Sequence, residues 1–344
     1  MKKARIGIIG AGNIAREHTQ AFLAAPSAEL VGLCDRVPSR AEEVAKANNL
    51  KTYPDAEAML KGPDIDAVVL AVPNYQHHPM CLAAAAHGKH ILCEKPMALN
   101  VQQAQEMKAA CREHGVHVLM GFCSRYMADA LCARTHIQAG SLGEVYMART
   151  DIIRQRGTPT GWFGNKEKSG GGPLIDIGVH MIDLAWFLMG KPQPVAVKAL
   201  NFHGKIKNRH PKNVEIYSAY ELDDTYSVED SSHGLITFEG GRGLMYQASW
   251  SLNAEDVNTR LDLYGDNGGL SFEPLTLYRE EQGAMTHTKL LFKPNDCFQE
   301  QAEHFAQVVL GQAQPLAPAQ DGVMVERMLE GLYRSAMSGE EVRL

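Results

Sequence analysis

"ARIGIIGAGNIA", Ala4 to Ala15, decides the fold of this chain. A short strand-like run ends in Gly10-x-Gly12-x-x-Ala15, and an amphipathic stretch opens inside that turn. In a strand–turn–helix unit the first glycine permits a tight turn and the second lets the backbone approach a pyrophosphate. A small third residue lets the helix lie close to the sheet. The helix N-terminus then presents free N–H groups and a partial positive charge to phosphate. Gly10, Gly12, Asn13 and Ile14 are therefore expected to face a dinucleotide. An acidic residue, Asp35, closes the next strand 20 positions past Ala15 (35 − 15), where a ligand for a ribose 2′-OH belongs. Its carboxylate repels a 2′-phosphate and favours NAD; Arg36 beside it attracts one and keeps NADP as the alternative.

Outward from that turn the same alternation continues. Strand-like runs "AELVGLCD", "DAVVLAVP", "KHILCEKP" and "VHVLMGF" are separated by amphipathic stretches, Ile14 to Ala25, Ser39 to Asn48, Tyr75 to His87 and Val101 to His114. The strands are apolar along their length, as parallel strands covered on both faces should be. In "AHGKHILC" and "EHGVHVLM" a glycine stops a helix in the left-handed conformation and a strand starts at once. Residues 1–122 are predicted to form a doubly wound α/β Rossmann domain.

The texture then changes. A helix from Met127 to Ala139 leads into the strand "GEVYMARTDIIRQ", a Gly/Pro/Ser-rich loop and a very apolar helix stopped by Gly190 and Pro192. Long strand-like segments follow, divided by turn signals at 222–224, 239–243 and 265–269. Two helices, Phe298 to Leu310 and Gln320 to Met337, come last. Residues 123–344 are predicted to be an α+β domain, with a mostly antiparallel sheet of several strands and helices on one face. The final helix has the option of packing back on the first domain.

Length and composition agree with this plan. At 344 residues the prior is about two domains, and 45% hydrophobic with 22% charged residues is ordinary for a globular protein. A net charge of −6 without a basic block argues against nucleic acid or an anionic membrane as partner. The apolar stretch at the start is cut by Gly10, Gly12 and Asn13, unlike a signal peptide, and the clean apolar runs fall short of a bilayer span. Seven scattered cysteines without a C-x-x-C pair suit a reducing cytoplasm.

Two stretches carry titratable groups in unexpected places. "ILCEKPM" ends a strand with Glu94-Lys95-Pro96, and in open α/β sheets ligands bind beyond the carboxyl ends of the strands. "GGGPLIDIGVHMIDL", Gly170 to Leu184, sets Asp176, His180 and Asp183 at i, i+4 and i+7 in an otherwise apolar helix. Buried carboxylates and imidazoles are costly unless paired. Asp-x-x-x-His-x-x-Asp also suits a zinc or manganese site. No further partner for a metal is evident, since the other histidine pairs (77/78, 87/90, 114/117) mostly flank strand starts, and no metal is expected.

"GIIGAGNIA", "AVPNYQHHP", "GKHILCEKPMA", "GWF…KSGGGPLIDIGVHMIDL" and the closing "YRSAMSGEEVRL" together resemble the Gfo/Idh/MocA oxidoreductases. That family includes glucose–fructose oxidoreductase and inositol dehydrogenases, and the resemblance covers nearly the whole chain. It implies Lys95, Asp176 and His180 as catalytic residues, with Asn74, His77 and Glu94 near the nicotinamide ribose. Val72 is expected beside them at the cofactor. It implies that residues 123–344 serve substrate binding and oligomerisation, with a large, mostly antiparallel open sheet as the oligomer interface of a homodimer or homotetramer.

On that reading His180 takes the proton of a substrate hydroxyl while hydride leaves for nicotinamide, work suited to an imidazole that titrates near neutral pH. Lys95 stabilises the developing alkoxide. Asp176 orients the imidazole or binds a neighbouring hydroxyl, and Asp183 is read as a structural partner. Arg125 and Tyr126 are expected at the substrate; Trp162 and Phe163 are read either as core or as an apolar wall for a sugar ring. The expected activity is NAD(P)-dependent oxidation of a secondary ring hydroxyl on a sugar, glycoside or cyclitol. Glycoside cleavage through transient ring oxidation and elimination would use the same residues. A non-catalytic NAD-binding regulator is disfavoured by the retention of Lys95 and His180.

Overall fold

The computed structural model describes residues 2–159, 161–205, 226–255 and 257–344; the turn expected at 222–224 lies outside them. Among the described residues six strands form the first sheet: β1 (Ala4–Ile9), β2 (Ala28–Cys34), β3 (Lys51–Thr52), β4 (Ala67–Leu70), β5 (His90–Cys93) and β6 (Val118–Met120). Their order is β3-β2-β1-β4-β5-β6, and every pairing is parallel. The order reverses between β1 and β4, which opens a crevice beyond their carboxyl ends. Ala67, Val68, Val69 and Leu70 are each 0% exposed, which is why "AVVL" carries no polar alternation.

The connecting helices are α1 (Asn13–Ala24), α2 (Pro38–Asn48), α3 (Ala56–Lys61), α4 (His77–Ala86) and α5 (Val101–Glu113). Asp55 and Asn100 start α3 and α5 by accepting the N–H groups of Ala58 and Gln103. Gly88 and Gly115 follow α4 and α5 at φ +69° and +66°, the left-handed stops expected from the repeated His-Gly pattern.

The second sheet is introduced by α6 (Ala128–Gln138) and β7 (Val145–Ile153). A short α7 (Lys166–Ser169) then precedes a π-helical turn, Leu174–Gly178, that runs straight into α8 (Val179–Leu188). The remaining strands are β8 (Pro194–Phe202), β9 (Ser231–Phe238), β10 (Arg242–Ser249), β11 (Val257–Gly265), β12 (Gly269–Ser271), β13 (Thr276–Glu281), β14 (Ala284–Lys289) and β15 (Val342–Arg343). The sheet order is β14-β13-β12-β11-β7-β10-β9-β8-β15. β10 runs parallel to β7 and the other pairings are antiparallel. The turn signals at 239–243 and 265–269 join β9 to β10 and β11 to β12. α8 packs against β7, β10 and β11.

The chain closes with α9 (Cys297–Val309) and α10 (Ala319–Ser338). Two compact units result: Met1–Tyr126 with Asn295–Glu326, and Met127–Pro294 with Arg327–Leu344. The sequence reading drew its boundary at 122/123 and left the final helix the option of packing back on the first domain; the first unit takes α9 and the start of α10. The return of 295–326 to the first unit has a packing cause. Phe305 of α9 meets Phe22 of α1 edge to face at 6.3 Å between centroids, and Glu303 accepts the amide and hydroxyl of Ser27 at 2.9 and 2.7 Å. One described span, Lys166–Leu188, is long and apolar enough to cross a membrane, but 89% of its apolar window is buried in the protein. Gly170, at φ +87°, also breaks it.

Candidate active site

The glycine turn in the first unit is shaped as a phosphate cradle. Gly10 sits at φ +112°, and a Cβ there would lie 2.1 Å from the carbonyl oxygen of Ala71. A Cβ on Gly12 would meet nothing within 4 Å, so the backbone is open on the side a pyrophosphate approaches. Gly12 precedes α1 without a side-chain cap, and the first turn holds no acidic residue, which leaves its N–H groups to an anion. Asn13 is exposed and Ile14 half-buried in that turn, while Ala15 is 0% exposed against the sheet. Asp35 holds the turn itself: its carboxylate accepts the N–H of Ala11 at 2.8 Å and of Val37 at 2.7 Å. Arg36 is exposed beside it. These residues fit a dinucleotide.

At the ends of β4 and β5 the structure separates two kinds of residue. Lys95 and Val72 are partly exposed, whereas Asn74, His77 and Glu94 are buried. Glu94 Oε1 lies 2.7 Å from Nε2 of His18, a residue of α1 that the sequence reading missed. Its other oxygen accepts the Lys95 N–H at 3.2 Å. His77 places Nδ1 2.7 Å from the Pro96 carbonyl and Nε2 3.0 Å from the Val72 carbonyl. Its ring therefore ties the Lys95–Pro96 turn, a cis peptide, to the end of β4. Burial lowers the basicity of that imidazole, favouring a neutral ring that can donate to one carbonyl only. Glu94 and His77 thus frame Lys95 from within the protein.

Arg125 and Tyr126 are a correction. Arg125 is 0% exposed; its guanidinium donates to Asp321 at 2.7 Å and to the Leu316 carbonyl at 2.8 Å. Tyr126 is 4% exposed, with its hydroxyl 2.8 Å from Nδ1 of His304. Both fasten the chain's return, 295–326, inside the first unit, and neither is presented to a substrate. A lone Arg-Tyr pair between two domains carries no sequence sign of a partner so distant in the chain.

In the second unit, the titratable stripe resolves into two groups. From Gly171 to Met189 every residue is buried except Asp176 and His180, which are half-buried. Asp183 is 0% exposed and belongs to the core. Asp176 stands in the π turn and not in a regular α-helix, so the expected stripe begins with a wider turn, a feature common at functional sites. Trp250, at the end of β10, donates its indole N–H to Asp176 Oδ2 at 2.9 Å, and an Arg154 nitrogen lies 4.0 Å from that oxygen. Neither was singled out in the sequence. Trp250, with Ile177, Val228 and Ala248, forms a buried cluster against which Phe163 packs. Trp162 stacks on Phe163 at 4.0 Å between centroids, half-buried, so Phe163 backs the flat ring of Trp162. Among the described residues no group of three or more His, Cys, Asp or Glu side chains is arranged to hold a metal ion.

Comparison with known proteins gives these features a class. Residues 4–122 match the oxidoreductase family with an NAD-binding Rossmann fold, GFO_IDH_MocA, and residues 131–271 match the GFO/IDH/MocA C-terminal domain. The chain belongs to the Gfo/Idh/MocA oxidoreductases, a family that contains sugar and inositol dehydrogenases, and NAD is its cofactor. It is 34% identical over 346 residues to the D-glucoside 3-dehydrogenase of Escherichia coli (strain K12), covering 99% of this chain and 97% of that one. It is 30% identical over 231 residues to the scyllo-inositol 2-dehydrogenase (NAD(+)) of Bacillus subtilis (strain 168), covering 67% and 65%. The aldose-aldose oxidoreductase of Caulobacter crescentus superposes with a TM-score of 0.83 at 26% identity, covering 100% of both chains.

Proposed function

We propose that this protein oxidises a secondary ring hydroxyl of a sugar, glycoside or cyclitol, with Lys95, Asp176 and His180 as its acting groups. The observation that supports it is the exposure pattern from Gly171 to Met189, where a buried helix leaves two residues, Asp176 and His180, in reach of a ligand. The 34% identity to the D-glucoside 3-dehydrogenase, in an alignment that spans 99% of the chain, favours a glucoside within that class. The flat face of Trp162 suits the apolar face of a sugar ring, and the Asp176 carboxylate suits a hydroxyl next to the reacting one.

The turn at Gly10 and Gly12 and the N-terminus of α1 would hold NAD, which would supply the acceptor for the carbinol hydride. His180 takes the hydroxyl proton on an imidazole nitrogen and returns it in the reverse direction. The Lys95 ammonium donates to the reacting oxygen and stabilises it as its charge grows. Asp35 at the end of β2 supports NAD over NADP. The exposed face of the second sheet supports a homodimer or homotetramer: Leu235 and Met245 face each other across β9 and β10, 40% and 43% exposed. Beside them Arg149 stands opposite Asp262 and Asp151 opposite Arg260 across β7 and β11, and each arginine closes an ion pair at 2.9 Å with the aspartate two positions along its own strand, Arg149 with Asp151 and Arg260 with Asp262. NADH formation from a polyol and glycoside panel, lost in His180→Ala, tests the activity.

A further inference from the structure

Glu229 precedes β9, is 1% exposed, and has no part in the chemistry described above. Three donors converge on its carboxylate. Oε2 accepts the N–H of Gly172 at 3.0 Å; Oε1 accepts the N–H of Leu174 at 3.3 Å and the phenol O–H of Tyr333, on α10, at 2.8 Å. Burial raises this carboxyl above the ordinary carboxylate range, and the donors oppose that shift. A buried acid with three directed donors is a built feature, because leaving any of these groups unmatched in the core is costly.

What the carboxylate grips is the head of the turn that carries Asp176. Gly172 gives its N–H to Glu229, and its carbonyl accepts the N–H of Asp176 at 3.0 Å. One residue, Gly172, thus links Glu229 to the backbone of Asp176. The grip also accounts for the glycines. A Cβ on Gly171 would lie 1.9 Å from the Tyr333 hydroxyl, and one on Gly172 would lie 2.3 Å from the Glu229 carbonyl oxygen. Side chains at 171 and 172 would force the clamp open.

We propose that Glu229 and Tyr333 are positioning residues that set Asp176 for the reaction, a role that rests on the assignment of Asp176 to substrate. A cap with a purely structural role would change melting temperature and leave the kinetics of the folded enzyme alone. The positioning role predicts a kinetic loss that runs through Asp176.

The test uses the full-length enzyme with saturating NAD and methyl β-D-glucoside or, if that is not oxidised, the best polyol of the panel. Tyr333→Phe removes one hydroxyl and keeps the ring; Glu229→Gln keeps the shape of the acid. The expected result is a kcat about tenfold lower for Tyr333→Phe and lower still for Glu229→Gln, with NAD affinity within twofold of wild type. In an Asp176→Asn background Tyr333→Phe should change kcat by less than twofold. Wild-type kcat and KM in both variants would overturn the proposal, as would a full tenfold loss from Tyr333→Phe in the Asp176→Asn background. If Glu229→Gln fails to fold, Tyr333→Phe carries the test alone. Asp176→Asn and His180→Ala, measured with the clamp intact, check the underlying assignment separately. Wild-type rates there would remove that assignment and the positioning role with it.

Discussion

Trp250 donates its indole N–H to the carboxylate of Asp176 at 2.9 Å. A hydrogen bond to a charged group is worth about 1.5–3 kcal/mol, and about 1.4 kcal/mol is a factor of ten. Trp250→Phe keeps an aromatic ring in the Ile177 cluster and removes the donor. Sugar kcat/KM should fall about 10- to 100-fold while NAD affinity stays within twofold. A melt of the same variant separates the lost packing, and unchanged sugar kinetics would show that the carboxylate needs no such anchor.

Arg125 should matter for stability and not for substrate. Removing one partner of a buried ion pair costs about 3–5 kcal/mol, because it strands the other charge. Arg125→Ala should lower the urea midpoint strongly and leave sugar KM within twofold for the enzyme that folds. Arg125→Met combined with Asp321→Leu should recover most of the loss. A KM raised tenfold or more at unchanged stability would return Arg125 to the substrate.

These two cases mark what the sequence shows and what it hides. Apolar runs such as Ala67–Leu70 are legible because burial on both faces removes every polar alternation. The glycine turn and Asp35 are legible because a short segment and one fixed offset carry the geometry. Pairs distant in the chain leave no local trace: Trp250 is 74 positions from Asp176, and Arg125 is 196 from Asp321. The π turn is hidden for a different reason. Five residues, Leu174–Gly178, are too few for a helical period to distinguish a wide turn from an ordinary one. The glycines at 171 and 172 were visible as a run, but their cause is a carboxylate at Glu229 and a phenol at Tyr333 that only the tertiary fold brings to them.

Cofactor choice should depend on Asp35. kcat/KM with NAD should exceed that with NADP, and Asp35→Ala should narrow the ratio. Because the carboxylate also holds the amides of Ala11 and Val37, the variant should lose NAD affinity as well as selectivity. A wild-type preference for NADP would sink the idea and move attention to Arg36.

Lys95→Ala and His180→Ala should each lower kcat about 10²- to 10⁴-fold, the usual effect of removing a positioned acid–base group. NAD affinity should change little, since the proposed hold on the other end of the dinucleotide is Gly12, the α1 N-terminus and Asp35. Equilibrium binding followed by NADH fluorescence and steady-state rates on the same preparations give the comparison. Near wild-type oxidation by either variant would show the proposed chemistry to be wrong.

Substrate choice should follow hydroxyls. An Asp176 carboxylate fixed by Trp250 cannot turn away when its partner hydroxyl is missing, and a site built to hydrogen-bond hydroxyls rejects analogues lacking them far more strongly than it rejects changes in apolar bulk. Simple alcohols and 2-hydroxy acids should be poor substrates, and deoxygenation next to the oxidised carbon should cost more than enlarging the aglycone. Methyl glucosides, D-glucose and inositols should include a good substrate. The measurement is NADH formation across that panel at fixed pH, with the oxidised carbon located by NMR. Faster turnover of simple alcohols than of every polyol would refute this assignment. Cleavage of a glycoside without net NADH, with solvent deuterium entering beside the oxidised carbon, would replace dehydrogenation with transient oxidation and elimination at the same three residues.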